Sequence, residues 1–142
     1  MLICRRRHIR EDHFEDGKWW VSPYNFVPEV RNSLELPTKV EIHDATLRDG
    51  EQTPGVVFSI DDKIAIAQKL NEIGIERIEA GMPAVSPQDE QAIKEISKLG
   101  LSSKIYTFAR AMKVDIDKAL ECGAQGVIIE VPIGYPKLKT QF

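Results

Sequence analysis

The sequence has little of what a disulfide-stapled, membrane-spanning or nucleic-acid-binding protein needs. Its 142 residues include two cysteines, Cys4 and Cys122, which lie far apart and lack metal-ligand spacing. They offer no disulfide framework and suit a reducing compartment. No apolar run approaches the roughly 20 residues of a membrane helix. The formal charge is −3 and only a short N-terminal cluster is basic. We therefore expect a cytoplasmic protein with neither a membrane nor a nucleic-acid partner.

Residues 1–38 differ in texture from the rest of the chain. Charged residues crowd positions 5–18, and prolines and the adjacent Trp19 and Trp20 follow them. We interpret this region as an irregular N-terminal arm. The basic segment 5–10 resembles the start of a targeting peptide, but acidic residues follow at once, which favours a solvated end. The two indoles should be buried, either against the body of this chain or against a partner, and the first is the simpler expectation.

Beyond Lys39 the sequence alternates between strand-like and helix-like segments. Two helices are predicted to begin after the N-cap residues Ser59 and Ser86, and a third covers about 114–121. Residues 132–142 predict neither a further helix nor a stop signal. Strands are predicted at 40–44, 75–80, 104–108 and 127–131, the last apolar enough to be buried on both faces. Apolar stripes mark the first two helices at Ile60, Ile64, Ala67, Leu70 and Ile73, and at Ile93, Ile96 and Leu99.

This alternation predicts an α/β fold with parallel strands joined by right-handed crossovers. An open doubly wound sheet and a (β/α)8 barrel both begin in this way. The glycine-rich phosphate turn of dinucleotide-binding folds is missing after the first strand, which favours the barrel. A complete barrel needs about 250 residues. We therefore predict the first half of a (β/α)8 TIM barrel, about four βα units, preceded by the irregular arm.

Barrel enzymes build their sites from the loops at the carboxyl ends of the strands. Charged residues stand at each of these positions here: the loop 44–52 follows the first strand, Glu79 ends the second, Arg110 follows the third, and Glu130 lies late in the fourth. One or two of them could form ion pairs at the rim. Four together predict a functional site.

Several motifs carry a resemblance to a known family. The segment 47–52, Leu-Arg-Asp-Gly-Glu-Gln, followed after ten residues by Lys63, resembles the signature of the 2-isopropylmalate and homocitrate synthases. Those enzymes belong to the metal-dependent barrel superfamily that includes hydroxymethylglutaryl-CoA lyase and the carboxyltransferase domain of pyruvate carboxylase. The likeness continues through 53–59, 78–87 and 108–111. The amino-acid sequences of segments 20–26 and 41–46 also resemble those of Re-type citrate synthases. Residues 39–142 are accordingly predicted to form the truncated N-terminal half of a pyruvate carboxyltransferase-like catalytic domain.

The resemblance implies a Claisen condensation, in which acetyl-CoA loses a methyl proton, the enolate attacks a 2-oxo acid and hydrolysis releases CoA. A full-length enzyme of this kind is expected to be a homo-oligomer. Asp49 has the ligand type that Mg²⁺ or Mn²⁺ prefers, and by resemblance it is a metal ligand. Arg48 cannot deprotonate, and by resemblance it is the electrostatic catalyst that contacts the substrate. Glu79 either orients Arg48 or accepts a proton, and we favour the first role.

Two further residues are expected to bind substrate. By resemblance, Gln52 lies in the substrate-binding motif and Arg110 grips a carboxylate of the oxo acid. The alternative for Arg110 is an ion pair with a surface carboxylate.

The sequence departs from the family in its histidines. Relatives complete the metal site with a His-x-His pair, whereas His8, His13 and His43 are the histidines of this chain and none has that spacing. We expect an incomplete metal site, an inactive isolated chain and a structural role for His43. A lyase or carboxyltransferase of the same superfamily is an alternative function. A non-catalytic remnant or interaction module is another.

Overall fold

The computed structural model describes residues 14–15, 18–35 and 37–141, which fall into two compact units divided between Val40 and Glu41. In the first unit, strand β1 (Phe14–Glu15) pairs antiparallel with β2 (Trp19–Trp20). A 3-10 helix (Pro23–Phe26) and the single-turn helix α1 (Pro28–Arg31) follow. The expectations about the basic segment 5–10 and the burial of the two indole side chains lie outside the described residues.

The second unit is a four-stranded parallel sheet with helices. The strand order is β3-β4-β5-β6, which is also the chain order. This α/β arrangement is that of the first half of a TIM barrel, so the predicted fold class is confirmed. The strands are β3 (His43–Asp44), β4 (Arg77–Glu79), β5 (Lys104–Arg110) and β6 (Gly126–Glu130). The helices are α2 (Ile60–Glu72), α3 (Pro87–Lys98), α4 (Lys113–Glu121) and α5 (Tyr135–Gln141).

Local capping signals set the beginnings of α2 and α3. The Ser59 hydroxyl accepts a hydrogen bond from the backbone N–H of Asp62, whose side chain accepts one from the Ser59 backbone N–H in return. This capping box satisfies two donors that the first turn would otherwise leave unpaired. Ser86 caps α3 through its hydroxyl alone, which accepts a hydrogen bond from the backbone N–H of Asp89, and Pro87 stands in the first turn. Both predicted helix starts are confirmed.

The core lies between the sheet and the α2–α3 layer, and eight buried residues form it: Leu47, Ala67, Ile78, Ala80, Ile93, Ile96, Ile105 and Cys122. Leu47 belongs to the loop after β3. Its complete burial anchors that loop to the body of the unit. Among the described residues, no helix is both long enough and apolar enough to cross a membrane.

Two expectations are wrong, the burial of the fourth strand on both faces and the absence of a helix from 132–142, and the last residue of each apolar stripe is exposed. Ile73 is 74% exposed because it caps the end of α2, where the chain turns, and Leu99 is 37% exposed at the corresponding place after α3. Strand β6 is the outer strand of the described sheet and is not buried on both faces, since the Ile129 side chain is 49% exposed. Residues 135–141 form α5, which tolerates Pro136 because a first-turn N–H has no partner within a helix.

Candidate active site

A tight turn places the loop that follows β3. The Asp44 carboxylate accepts a hydrogen bond from the Thr46 backbone N–H at 2.9 Å. The Ala45 carbonyl accepts from the backbone N–H groups of Arg48, Asp49 and Gly50 at 3.1, 2.8 and 3.2 Å. Together with buried Leu47, these bonds hold Arg48 and Asp49 at the carboxyl end of β3.

Arg48 is held on two sides by carboxylates. Its Nε donates to Oε1 of Glu79 at 2.5 Å, and its Nη1 donates to Oδ1 of Asp49 at 3.0 Å. The guanidinium carbon lies 4.5 Å from the centre of the Phe108 ring, within cation–π range. The structure therefore brings together three of the predicted site residues, Arg48, Asp49 and Glu79, from the ends of neighbouring strands.

Glu79 is 2% exposed, and both of its carboxylate oxygens have partners. One oxygen accepts from Arg48, and the other lies 3.3 Å from Nε2 of His43. His43 also packs edge-on against the ring of Tyr106, with the ring centres 5.6 Å apart. The sequence could not tell which face of β3 carries His43. The register between β3 and β4 decides this question. His43 pairs with Arg77, and Glu79 lies two residues after Arg77, so His43 and Glu79 share one face of the sheet.

A second charged cluster stands beside Arg48. The Lys63 side chain is 2% exposed, and its Nζ lies 2.7 Å from Oε2 of Glu51 and bonds to Oδ1 of Asp89. Burial alone would lower the pKa of Lys63, but hydrogen bonds to Asp89 and Glu51 outweigh it, so the pKa is raised. Sequence reasoning noted Lys63 only as part of the motif spacing. The ten-residue interval was the available signal, and the pairing of Lys63 with Glu51 and Asp89 was not predicted.

Arg110 is not brought to this cluster. Its Nε and Nη2 donate to the two oxygens of Asp115 at 2.7 and 2.8 Å, and its backbone N–H donates to the same carboxylate. Asp115 is 1% exposed, and the hydrogen bonds from Arg110 hold the pKa of its carboxyl below the usual range. The partner is thus a buried aspartate at the start of α4, not the surface carboxylate of the alternative expectation. A contact between Arg110 and substrate stays a prediction.

A pocket of about 290 Å³ opens beside Arg48. Its walls come from the loop after β3, the loop after β4, the first turn of α3 and β5. Gln52, another predicted site residue, lines it together with Arg48. The lining residues are Leu47, Arg48, Glu51, Gln52, Gly81, Met82, Val85, Asp89 and Phe108. Their mixture of apolar walls and a few charged groups is typical of a small-molecule site.

Asp49 carries the type of ligand atom that a hard divalent cation prefers. Its carboxylate is 66% exposed and keeps one oxygen outside the bond from Arg48. Within the described ranges, no group of three or more His, Cys, Asp or Glu side chains could hold a metal ion. The donor type therefore fits Mg²⁺ or Mn²⁺, but the described residues supply only part of a coordination shell.

Comparison with known proteins agrees with this geometry. The HMGL-like family model matches residues 39–142, the stretch that holds the sheet, Arg48 and the pocket. The chain belongs to the HMGL-like family. The predicted resemblance to homocitrate and isopropylmalate synthases is thereby confirmed.

Three relatives illustrate the similarity. The homocitrate synthase AksA of Methanothermobacter thermautotrophicus is 45% identical over 111 residues, which cover 78% of this chain and 27% of that protein. The 2-isopropylmalate synthase of Methanocaldococcus jannaschii is 46% identical over 101 residues, 71% of this chain and 20% of that protein. The (R)-citramalate synthase CimA of the same organism is 52% identical over 93 residues, 66% of this chain and 19% of that protein. The chain thus spans about a quarter of the length of these relatives or less.

Proposed function

We propose that this chain supplies the first half of an active site for condensing acetyl-CoA with a 2-oxo acid. The observation that carries the proposal is the Arg48 guanidinium, which is fixed by the buried Glu79 carboxylate next to Asp49 and beside the pocket. A condensation of this kind builds negative charge on the keto oxygen, and a donor held in place before reaction stabilises that charge. Residues 39–142 are proposed as the N-terminal half of the catalytic domain, with 1–38 as an arm.

Arg48 fits the part of the electrostatic catalyst. Nε and Nη1 are engaged by Glu79 and Asp49, whereas Nη2 has no hydrogen-bond partner among the described residues. A guanidinium that is fixed through Nε and Nη1 can donate from Nη2 to an oxyanion without reorganising during the reaction. An arginine suits this part because its planar fork presents several donors in a fixed geometry.

Glu79 fits an orienting role better than that of a general base. A base must have an oxygen within reach of the proton that it removes. Both oxygens of Glu79 are already directed to Arg48 and His43, and the side chain is buried. We therefore do not assign the proton transfer from acetyl-CoA to Glu79.

Asp49 would hold the divalent cation, Mg²⁺ or Mn²⁺. When bound, such a cation would polarise the keto group of the oxo acid. The substrates would be small molecules: acetyl-CoA and an oxo acid. Gln52 lines the pocket and would contact the oxo acid. Assembly into homo-oligomers stays a prediction.

A chimera tests the proposal. The matched segment of this chain would replace the corresponding segment of the M. thermautotrophicus homocitrate synthase, and thiol release from acetyl-CoA would be measured with 2-oxoglutarate, 2-oxoisovalerate, pyruvate and oxaloacetate. We expect turnover with at least one oxo acid, and loss of it in the Asp49→Asn chimera. A folded chimera that releases no thiol with any of the four, beside an active parent enzyme, would refute the proposal.

A further inference from the structure

Lys63 is a buried charge that the proposed reaction does not use. Its side chain is 2% exposed, and its ammonium lies between the carboxylates of Glu51 and Asp89. A buried ammonium is expensive unless acceptors compensate it. The two carboxylates provide that compensation, so the cluster is a built feature and not a solvated surface pair.

The two partners of Lys63 are each anchored a second time. The other oxygen of Glu51 accepts a hydrogen bond from the Phe58 backbone N–H at 3.1 Å, which closes the loop between the 3-10 helix Gly50–Gln52 and α2. The other oxygen of Asp89 accepts from the Ser86 hydroxyl at 2.7 Å, at the start of α3. Lys63 therefore joins the loop after β3 to the first turn of α3.

Both joined segments are walls of the pocket. Glu51 and Asp89 line it directly, Gln52 lies next to Glu51, and Met82 belongs to the loop that leads from β4 to α3. Lys63 is not among the lining residues, so its contact with the pocket walls runs through its two partners. From this we infer that Lys63 is a positioning residue, whose ammonium fixes the separation of the two walls and thereby the width of the pocket.

The motif spacing receives a physical explanation from this role. Ten residues separate Gln52 from Lys63, and Lys63 falls in the first turn of α2, as the fourth residue of that helix. The loop must leave the site, start the helix at Ser59 and bring an ammonium back to Glu51. The inference concerns the shape of the pocket and holds for any reaction there.

The test uses the 142-residue chain and needs neither substrate nor metal. Lys63→Leu removes the charge, and Lys69→Leu on the same helix is the matched control because Lys69 is 75% exposed and pairs with Glu72 on the helix surface. The chain has three methionines, Met1, Met82 and Met112. Their methyl signals give a simple NMR spectrum, and the Met82 methyl reports on the pocket because Met82 lines it.

We expect Lys63→Leu to shift the Met82 methyl signal and leave that of Met112 in place. The Phe58 amide should exchange with solvent roughly tenfold faster or more, since its acceptor Glu51 loses the group that holds it. The Cys122 amide, within α4's own hydrogen bonding, should keep its rate. Lys69→Leu should change none of these signals.

A folded Lys63→Leu chain whose Met82 methyl and Phe58 amide match those of Lys69→Leu would overturn the inference. If Lys63→Leu does not fold, the triple variant Glu51→Gln, Lys63→Leu, Asp89→Asn takes its place in the experiment. In this variant the two carboxylates that Lys63 compensates are neutral as well. Altered Met82 and Phe58 signals in that variant support the positioning role, and wild-type signals there contradict it.

Discussion

Replacing Glu79 by glutamine should destabilise the chain without changing the volume of the core. Glu79 is 2% exposed and its carboxylate accepts from Arg48, whose side chain is 22% exposed. Glutamine keeps the shape and one acceptor oxygen. It removes the negative charge that compensates the guanidinium, and it sets an amide nitrogen against either Arg48 or His43.

The size of the effect follows from the type of bond that is lost. A hydrogen bond between charged groups contributes about 1.5–3 kcal/mol, and one side of the Glu79 carboxylate loses such a bond. Arg48 retains Asp49 as a partner, which limits the loss. We expect the free energy of unfolding to fall by about 2 kcal/mol, which with a urea m-value of about 2 kcal/mol/M lowers the midpoint by about 1 M.

Urea unfolding of the chain measures this, with Glu72→Gln as the control. Glu72 is 57% exposed and pairs with Lys69 on the same helix, so its neutralisation should change stability by less than about 0.5 kcal/mol. The NMR chemical shift of the Arg48 Nε–H group should also change in Glu79→Gln and stay the same in Glu72→Gln. Equal midpoints for the two variants, with an unmoved Arg48 signal, would refute the proposed hold of Glu79 on Arg48.

Three further predictions concern other parts of the fold. Arg110 lowers the pKa of Asp115, so this pair stabilises the chain above about pH 4 and loses its effect as pH falls through the folded-state pKa of Asp115. The difference in free energy of unfolding between wild type and Asp115→Asn should therefore become smaller from pH 7 to pH 3. A difference that stays constant with pH would contradict this. A Cβ on Gly126 would clash with the Tyr106 ring, so Gly126→Ala should lower the free energy of unfolding in urea by about 1–3 kcal/mol. In a Tyr106→Leu background the same substitution should cost much less. An equal loss of stability in both backgrounds would contradict this explanation. Burial raises the pKa of the Cys122 thiol, so in a Cys4→Ser chain a thiol reagent at pH 8 should modify it only on unfolding, and rapid labelling of the folded chain would disprove its burial.

Local chemistry made much of the fold predictable. The starts of α2 and α3 follow from Ser59 and Ser86, because an N-cap and its partner lie within three residues of each other. The alternation of strand-like and helix-like segments predicted the parallel sheet, because parallel strands need a crossover connection, usually a helix, between them. The ends of the helices were less certain, since exposure of Ile73 depends on what packs against the turn.

The site was predictable only as far as its motif reaches. Arg48 and Asp49 are adjacent in sequence, and their residue types suggest their chemistry. The contact of His43 with Glu79 depends on the register between β3 and β4, which no pattern within one strand specifies. The partnership of Lys63 with Asp89 likewise joins residues that are 26 positions apart.

Arg110 shows how local structure can redirect a functional expectation. Its position at the carboxyl end of β5 suggested a contact with substrate. The first turn of α4 puts Asp115 five residues further on, where it binds both the side chain and the backbone of Arg110. An aspartate in the first turn of the next helix was a visible signal for this pairing.

The account depends most on Arg48 as the fixed donor for the developing charge. In the chimera with the homocitrate synthase relative, Arg48→Lys keeps the positive charge but loses the planar donor geometry. We expect its kcat for thiol release from acetyl-CoA to fall by about 10²–10³, the usual cost of losing one such donor, with the fold unchanged by circular dichroism. A folded Arg48→Lys chimera with nearly full kcat would contradict the role of Arg48 and with it the proposed function of the site.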